Sequence, residues 1–325
     1  MSRYGLVADA GGTNVRFALV DLDAGSALVA PHRYPSKSFA TIEQAAHAYL
    51  AEQKLDAAPL AAVISVAGPV DGNAIHMTNL GWHFSGQALG AALGIARVRL
   101  VNDYEAIARA IPNLGTSDVR DIGSRGAAAQ SECETIAIVG PGTGLGVGGY
   151  IRAGKDFLPL VTEGGHADFA PADDVEIEIL KILRGRFGHV SNERILSGPG
   201  LVNLYLALST IEGSAGEELD PHAITAGALS GRNPFCALVL SRFCAILGRV
   251  AGDVALVMGA RQGVFLGGGI LPAVADFLAG STFRARFEAK GRFESYMRDI
   301  PTRLIVNDNA GLLGAATLVR AIAGG

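Results

Sequence analysis

An apolar run, Gly5-Leu6-Val7-Ala8, delivers an aspartate into a tight glycine turn, Asp9-Ala10-Gly11-Gly12-Thr13-Asn14-Val15-Arg16, and a second apolar run, Phe17–Val20, leaves it. Two adjacent glycines let backbone approach a ligand with no Cβ in the way, and they permit positive φ. Backbone N–H groups and a threonine hydroxyl in such a turn suit phosphate oxygens. The Asp9 carboxylate beside them suits Mg²⁺, directly or through water. Glycine pairs also punctuate ordinary hairpins, so the segment points to phosphate only in company.

The rest of the chain supplies that company. Strands are expected at Gly5–Ala8, Arg16–Leu22, Ala62–Ala67 and Val98–Val101. Thr41-Ile42-Glu43-Gln44 has the pattern of a capping box. It opens a helix with Ile42, Ala45, Ala46, Tyr49 and Leu50 on one side. A short helix from Tyr104 should stop at Pro112. The polar, Gly/Ser-rich stretch 113–126 reads as a crossing between domains, and 325 residues suit about two of them. A second strand-turn-strand unit follows: Thr135–Val139, then Gly140-Pro141-Gly142-Thr143-Gly144, then Leu145–Ile151. It echoes the first, as a duplicated α/β unit would. Helices are expected at Val175–Arg186, Pro199–Leu208 and Pro234–Met258, a buried strand at Gly263–Leu266, a strand at Arg303–Val306 and a helix at Ala310–Ile322. Such alternation implies a mainly parallel sheet with helices outside it.

Several classes are excluded. The net charge is −4 with no Lys/Arg cluster, which argues against a nucleic-acid partner. Three cysteines with no CxxC spacing fit a reducing compartment. No signal peptide is visible, and Arg242, Arg249 and Asp253 interrupt the most membrane-like stretch. The expectation is a cytoplasmic protein with no membrane partner. Gly144-Leu145-Gly146-Val147-Gly148-Gly149 matches GxGxxG but lies inside a strand, whereas the dinucleotide fingerprint must open a helix.

Four places carry candidate chemistry. Asp103, after Val101-Asn102, sits at the carboxyl end of a strand, where α/β proteins place ligands; aspartate there also caps helices. Glu163-Gly164-Gly165-His166-Ala167-Asp168 sets a carboxylate and an imidazole around two glycines, able to address one polyhydroxylated ligand. A metal reading is weaker, since three or four ligands are needed. Glu193 is a second carboxylate candidate of the same kind, or a helix-surface glutamate. Asn79 lies in a loop with the only tryptophan, Trp82.

Asp9-x-Gly-Gly-Thr-Asn-x-Arg, Thr78-Asn79-Leu-x-Trp82, Asn102-Asp103, Gly142-Thr-Gly-Leu-Gly146, Glu163-Gly-Gly-His166-Ala-Asp-Phe-Ala-Pro and Ser197-Gly-Pro-Gly occur in one order, with Gly267-Gly-Gly and Asn309-Ala-Gly near the end. From about residue 5 to 316 the chain resembles the proteobacterial-type glucokinase family. The resemblance implies an actin-like (ribonuclease H-like) α/β ATPase fold, with a small and a large domain flanking a cleft. The small domain would take residues 1–112 and about 305–325, and the large one residues 113–304. It implies ATP-dependent phosphorylation of glucose at the 6-hydroxyl, the first step of glycolysis, with Mg²⁺ held by Asp9. Ala8, Asp9, Ala10, Gly11, Gly12, Thr13, Gly142, Thr143 and Gly268 would lie at the nucleotide. Asn79, Asn102, Asp103, Glu163, His166 and Glu193 would bind glucose, with Asp103 as catalytic base. A homodimer is implied, and no zinc, because the cysteine-rich motif of broader relatives is missing. The alternatives are a kinase for another hexose or an N-acetylhexosamine, and a non-catalytic sugar sensor.

Overall fold

Turn length decides the first sheet. Three or four residues cannot carry a crossover, which takes about a dozen or more, so the chain must return antiparallel. In the computed structural model, which describes residues 3–24, 27–77, 80–123, 133–214 and 219–324, β1 (Tyr4–Ala10) and β2 (Asn14–Asp21) pair in that way. The chain divides into two units, residues 1–115 with 307–325 and residues 116–306.

In the first unit β3 (Leu28–Pro35) continues the meander on β2, and β4 (Ala61–Val66) joins β1 in parallel. A separate hairpin, β5 (Ala74–Met77) and β6 (Trp82–Ser85), precedes β7 (Arg97–Asn102), which lies parallel to β4. The order is β3-β2-β1-β4-β7. Alternation along β1 serves two cores. Leu6 and Ala8 pack with Ile42 and Tyr49 of helix Ile42–Gln53 and Leu89 of helix Gly86–Leu93. Val7 faces Ala106 of helix Asp103–Ala110 and Leu312 and Ala316 of helix Ala310–Gly324. With both faces covered, every residue of β4 is buried. The capping box is modified: Thr41 Oγ1 accepts from the Gln44 amide, while Gln44 Oε1 accepts from Ala40, one residue early.

The second unit repeats the scheme. Its strands are β8 (Val119–Asp121), β9 (Cys133–Pro141), β10 (Leu145–Ala153), β11 (Asp156–Thr162), β12 (Gly263–Leu266) and β13 (Thr302–Ile305), in the order β11-β10-β9-β12-β13-β8. Again three strands meander antiparallel, two add in parallel, and β8 closes the far edge antiparallel. The expectation of a mainly parallel sheet is therefore corrected. The tight turns after β1 and β9 force β2 and β10 to return antiparallel, and among the described residues two of four pairings in the first sheet and three of five in the second are antiparallel. Helix Pro234–Met258 is long and apolar enough to cross a membrane by length and composition, yet most of it lies within the core, with Phe243, Ile246, Leu247 and Val250 buried.

Helices Asp103–Ala110 and Ala310–Gly324 touch backbone to side. A Cβ on Gly314 would stand 1.7 Å from the Ala106 carbonyl oxygen. Gly314→Ala must push this pair apart, and we expect a loss of about 3 kcal/mol in unfolding free energy, read from urea denaturation.

Candidate functional site

In the first unit the turn after β1 closes on itself. The Gly11 amide donates to Asn14 O at 2.9 Å, the Ser36 hydroxyl to Gly11 O at 2.9 Å, and the Ser36 amide to Thr13 O at 2.9 Å. The amides of Gly12 and Thr13 have no acceptor among the described residues and are the donors left for an anion. Neither Gly11 nor Gly12 adopts the left-handed backbone that glycine permits. A side chain at Gly11 would crowd Asn14 O, so close approach is the reason for glycine there.

Asp9 sits beneath this turn. Its Oδ2 takes a bond from Arg16 Nη1 at 3.2 Å, and Ser65 Oγ stands 3.5 Å from Oδ1. The first turn of helix Ala310–Gly324 packs against the same carboxylate, since a Cβ on Gly311 would meet Asp9 Cγ at 3.2 Å. Burial pushes the Asp9 pKa up, opposed by the Arg16 guanidinium and the Ser65 hydroxyl. A single carboxylate of this kind fits Mg²⁺, which keeps most of its waters and leans on phosphate oxygens for the rest. Ser36 and Ser65 carried no motif in the sequence; only the pairing of strands brings them here.

At the end of β7 the helix cap is Asn102, not Asp103. Asn102 Oδ1 accepts from the Tyr104 amide at 2.9 Å, and its Nδ2 donates to Gly68 O at 3.0 Å. One amide hydrogen and one lone pair of Asn102 remain. Asp103 is the first residue of the helix, half-buried, with Oδ1 3.0 Å from the Tyr104 amide. Asn79 lies outside the described residues. The hairpin that flanks it is anchored by Trp82 and Met77, both buried.

In the second unit the hairpin turn between β9 and β10 gathers everything else. The Gly142 amide donates to Gly144 O at 2.8 Å, and Gly142 O accepts from Gly198 N at 2.8 Å. As in the first unit, the next two amides, Thr143 and Gly144, have no acceptor among the described residues. The loop after β12 runs alongside: Gly267 N donates to Val139 O at 3.0 Å, and Gly268 has φ +81° with its Cα so close to Pro141 O that a Cβ would stand 2.2 Å from it. Gly142 and Gly268 are thereby neighbours.

Glu163, His166 and Glu193 meet beside this turn. His166 Nε2 stands 4.0 Å from Glu163 Oε2 and 4.0 Å from Glu193 Oε1. Neither distance is a hydrogen bond, so the facing oxygens and ring nitrogen keep their capacity for hydroxyls. Glu193 is not a helix-surface residue. It lies in the turn Asn192–Arg194, and its Oε2 accepts from the Leu145 amide at 2.9 Å. Ser197 supports it by donating to Glu193 O at 2.8 Å while capping helix Gly198–Ile211. The glycine at position 165 is obligatory, because a Cβ would fall 1.9 Å from Leu145 O. No three of His, Cys, Asp and Glu gather as a metal site among the described residues.

A sheet order repeated in two units, each with an anion-suited turn after its central strand, β1 or β9, defines the actin-like ATPase fold. The sequence profile named glucokinase matches residues 6–322. A glucokinase of Caulobacter sp. (strain K31) is 48% identical over 96% of this chain and 94% of its own length. One from Escherichia coli (strain K12 / DH10B) is 42% identical over 98% of each. The crystal structure of a glucokinase from an Antarctic psychrotroph superposes with a TM-score of 0.85 at 37% identity, covering 99% of this chain and 100% of that one. The chain belongs to the glucokinase family.

A Cβ on Gly144 would stand 2.4 Å from Glu193 Oε2, the far end of a flexible side chain. Gly144→Ala should leave the fold intact and swing the Glu193 carboxylate off the Leu145 amide. The expected result is about tenfold weaker glucose binding by calorimetry with melting nearly unchanged. Unchanged affinity would mean that no ligand touches this carboxylate.

Proposed function

We propose that the chain transfers the γ-phosphoryl group of ATP to the 6-hydroxyl of glucose, giving glucose 6-phosphate and ADP. The observation that carries this reading is the meeting of Glu163, His166 and Glu193 at 4.0 Å spacing, in a chain of the glucokinase family. Two carboxylates accept from sugar hydroxyls. The His166 ring between them has two nitrogens, each able to face a hydroxyl. Asn102 contributes its remaining hydrogen and lone pair, and Asn79 completes the set.

Phosphoryl transfer needs little covalent chemistry from a protein. It needs an aligned nucleophile and donors around the transferred group. Asp103 accepts the proton of the 6-hydroxyl as that oxygen attacks the γ-phosphorus. The bond from phosphorus to the β–γ bridging oxygen breaks, and ADP leaves. Base assistance of this kind is worth about 10² to 10⁴ in rate. The amides of Gly12, Thr13, Thr143 and Gly144 donate to phosphate oxygens, and the Gly267–Gly269 loop lies toward the adenosine. Mg²⁺ would neutralise phosphate charge, and Asp9 is the residue that would hold it, directly or through water. A cytoplasmic setting, which the sparse cysteines fit, and a homodimer, which the family resemblance implies, belong to the same reading.

A coupled assay for hexose 6-phosphate with ATP, Mg²⁺ and a panel of hexoses tests the activity; turnover with another sugar and none with glucose would sink it. For the base, Asp103→Asn should cut kcat by roughly several hundred-fold with glucose affinity within about tenfold. Near-normal turnover would remove Asp103 from the role. Glu163→Gln and His166→Ala should each raise the KM for glucose far more than the KM for ATP. The opposite pattern would assign this turn to the nucleotide.

A further inference from the structure

The apolar helix Pro234–Met258 carries three charged residues that the proposed chemistry leaves unused. Arg242 and Arg249 are seven residues apart and so share a face. Both reach toward the segment that follows the Glu163–His166 turn. Arg242 Nη1 donates to Asp173 Oδ2, and Asp173 caps helix Asp174–Phe187. The Arg249 guanidinium lies over the Phe169 ring, with Cζ 5.1 Å from its centroid.

Arg249 is an unusual group to find there. It is 9% exposed, and its Nε and Nη2 have no hydrogen-bond acceptor among the described residues. Glu176 Oε2 at 3.6 Å and Asp253 Oδ2 at 3.8 Å attract it from beyond hydrogen-bond reach. Burial draws its pKa down against both carboxylates. An aliphatic side chain would fill the same space without stripping a charge of water. What an aliphatic could not supply is a planar cation on an aromatic face.

Phe169, itself buried, belongs to the tie that holds the hexose-directed groups. Its amide donates to Val190 O at 2.9 Å, and Ala167 O accepts from Asn192 N at 2.9 Å. Asp168 bridges to Ser191 between them. Glu163 and His166 lie just before one side of this tie, and Glu193 just after the other. The ring therefore bears on the separation of all three.

We propose that Arg249 is a positioning residue for the hexose: stacked on Phe169, it sets the spacing of Glu163, His166 and Glu193. The inference rests on the reading of those three as hexose ligands. Arg249→Lys keeps a cation opposite Glu176 but loses the planar face, and Phe169→Leu keeps bulk but loses the ring. Each variant should raise the KM for glucose about tenfold, with kcat and the KM for ATP within about twofold. The double variant should be no worse than either single one, because both break one contact. A glucose KM unchanged in folded Arg249→Lys, effects that multiply, or kcat and both KM values moving together with a lowered Tm would each overturn the proposal. Glu163→Gln measured alongside separates the two readings: if it too leaves the glucose KM unchanged, the ligand reading fails rather than the positioning role.

Discussion

Backbone packed on backbone, with no Cβ between, is the constraint on which the second unit depends. The hairpin turn from Pro141 to Leu145 is approached from three directions: by Gly268 against Pro141 O, by Gly165 against Leu145 O, and by Gly198 through its bond to Gly142 O. Each approach carries a functional segment with it. Gly268 brings the loop after β12, Gly165 brings Glu163 and His166, and Gly198 brings the helix whose cap supports Glu193. Glu193 then closes the circle on the Leu145 amide. Adding a methyl group at position 165 or 268 would meet a carbonyl oxygen of a packed strand, which cannot give way as a flexible side chain can.

The two units repeat one backbone device with different charge. In both, the amide of the first turn glycine is used within the turn and the next two have no acceptor among the described residues. Register marks the difference. Asp9 faces Arg16 one pair before the end of the β1–β2 ladder, and at the same place in the β9–β10 ladder Gly140 faces Gly146. Only the first turn therefore carries an acid with its own arginine, hydroxyl and helix N-terminus. A negative group is stabilised at that end of a helix, which offsets part of the penalty of burying Asp9.

Much of the fold was legible where local chemistry decides. Helix Pro234–Met258 and strand Gly263–Leu266 occupy the expected residues, because Asn233, Pro234 and Gly259 mark the helix ends and the strand is wholly apolar. Sequence reasoning missed the short strands β5, β6 and β8, in which any alternation spans four residues or fewer, and the longer strands β3 and β11. β3 is exposed along most of its length and contains two prolines, and β11 is an edge strand with Leu158 and Val161 exposed. Neither buries a face of its own, so neither leaves a hydrophobic signature. The sequence left Asp103 open between ligand and cap; in the structure Asn102 is the cap residue, and Asp103 opens the helix with its Oδ1 near the same Tyr104 amide.

Sequence alone determined where the chain must turn, cap and alternate, and hence two glycine turns after two buried strands. These are short-range demands: a hairpin of three or four residues has few solutions, and a helix end needs an acceptor for its amides. Tertiary structure decided what meets what. Glu193 reaches His166 from thirty residues away along the chain from Glu163, while Ser36, in the turn after β3, and Ser65, on β4, reach the Asp9 turn. Arg249, read in sequence only as a break in an apolar run, finds Phe169 eighty residues earlier. Such meetings depend on sheet register and on which glycines let backbones touch, and no local pattern encodes either.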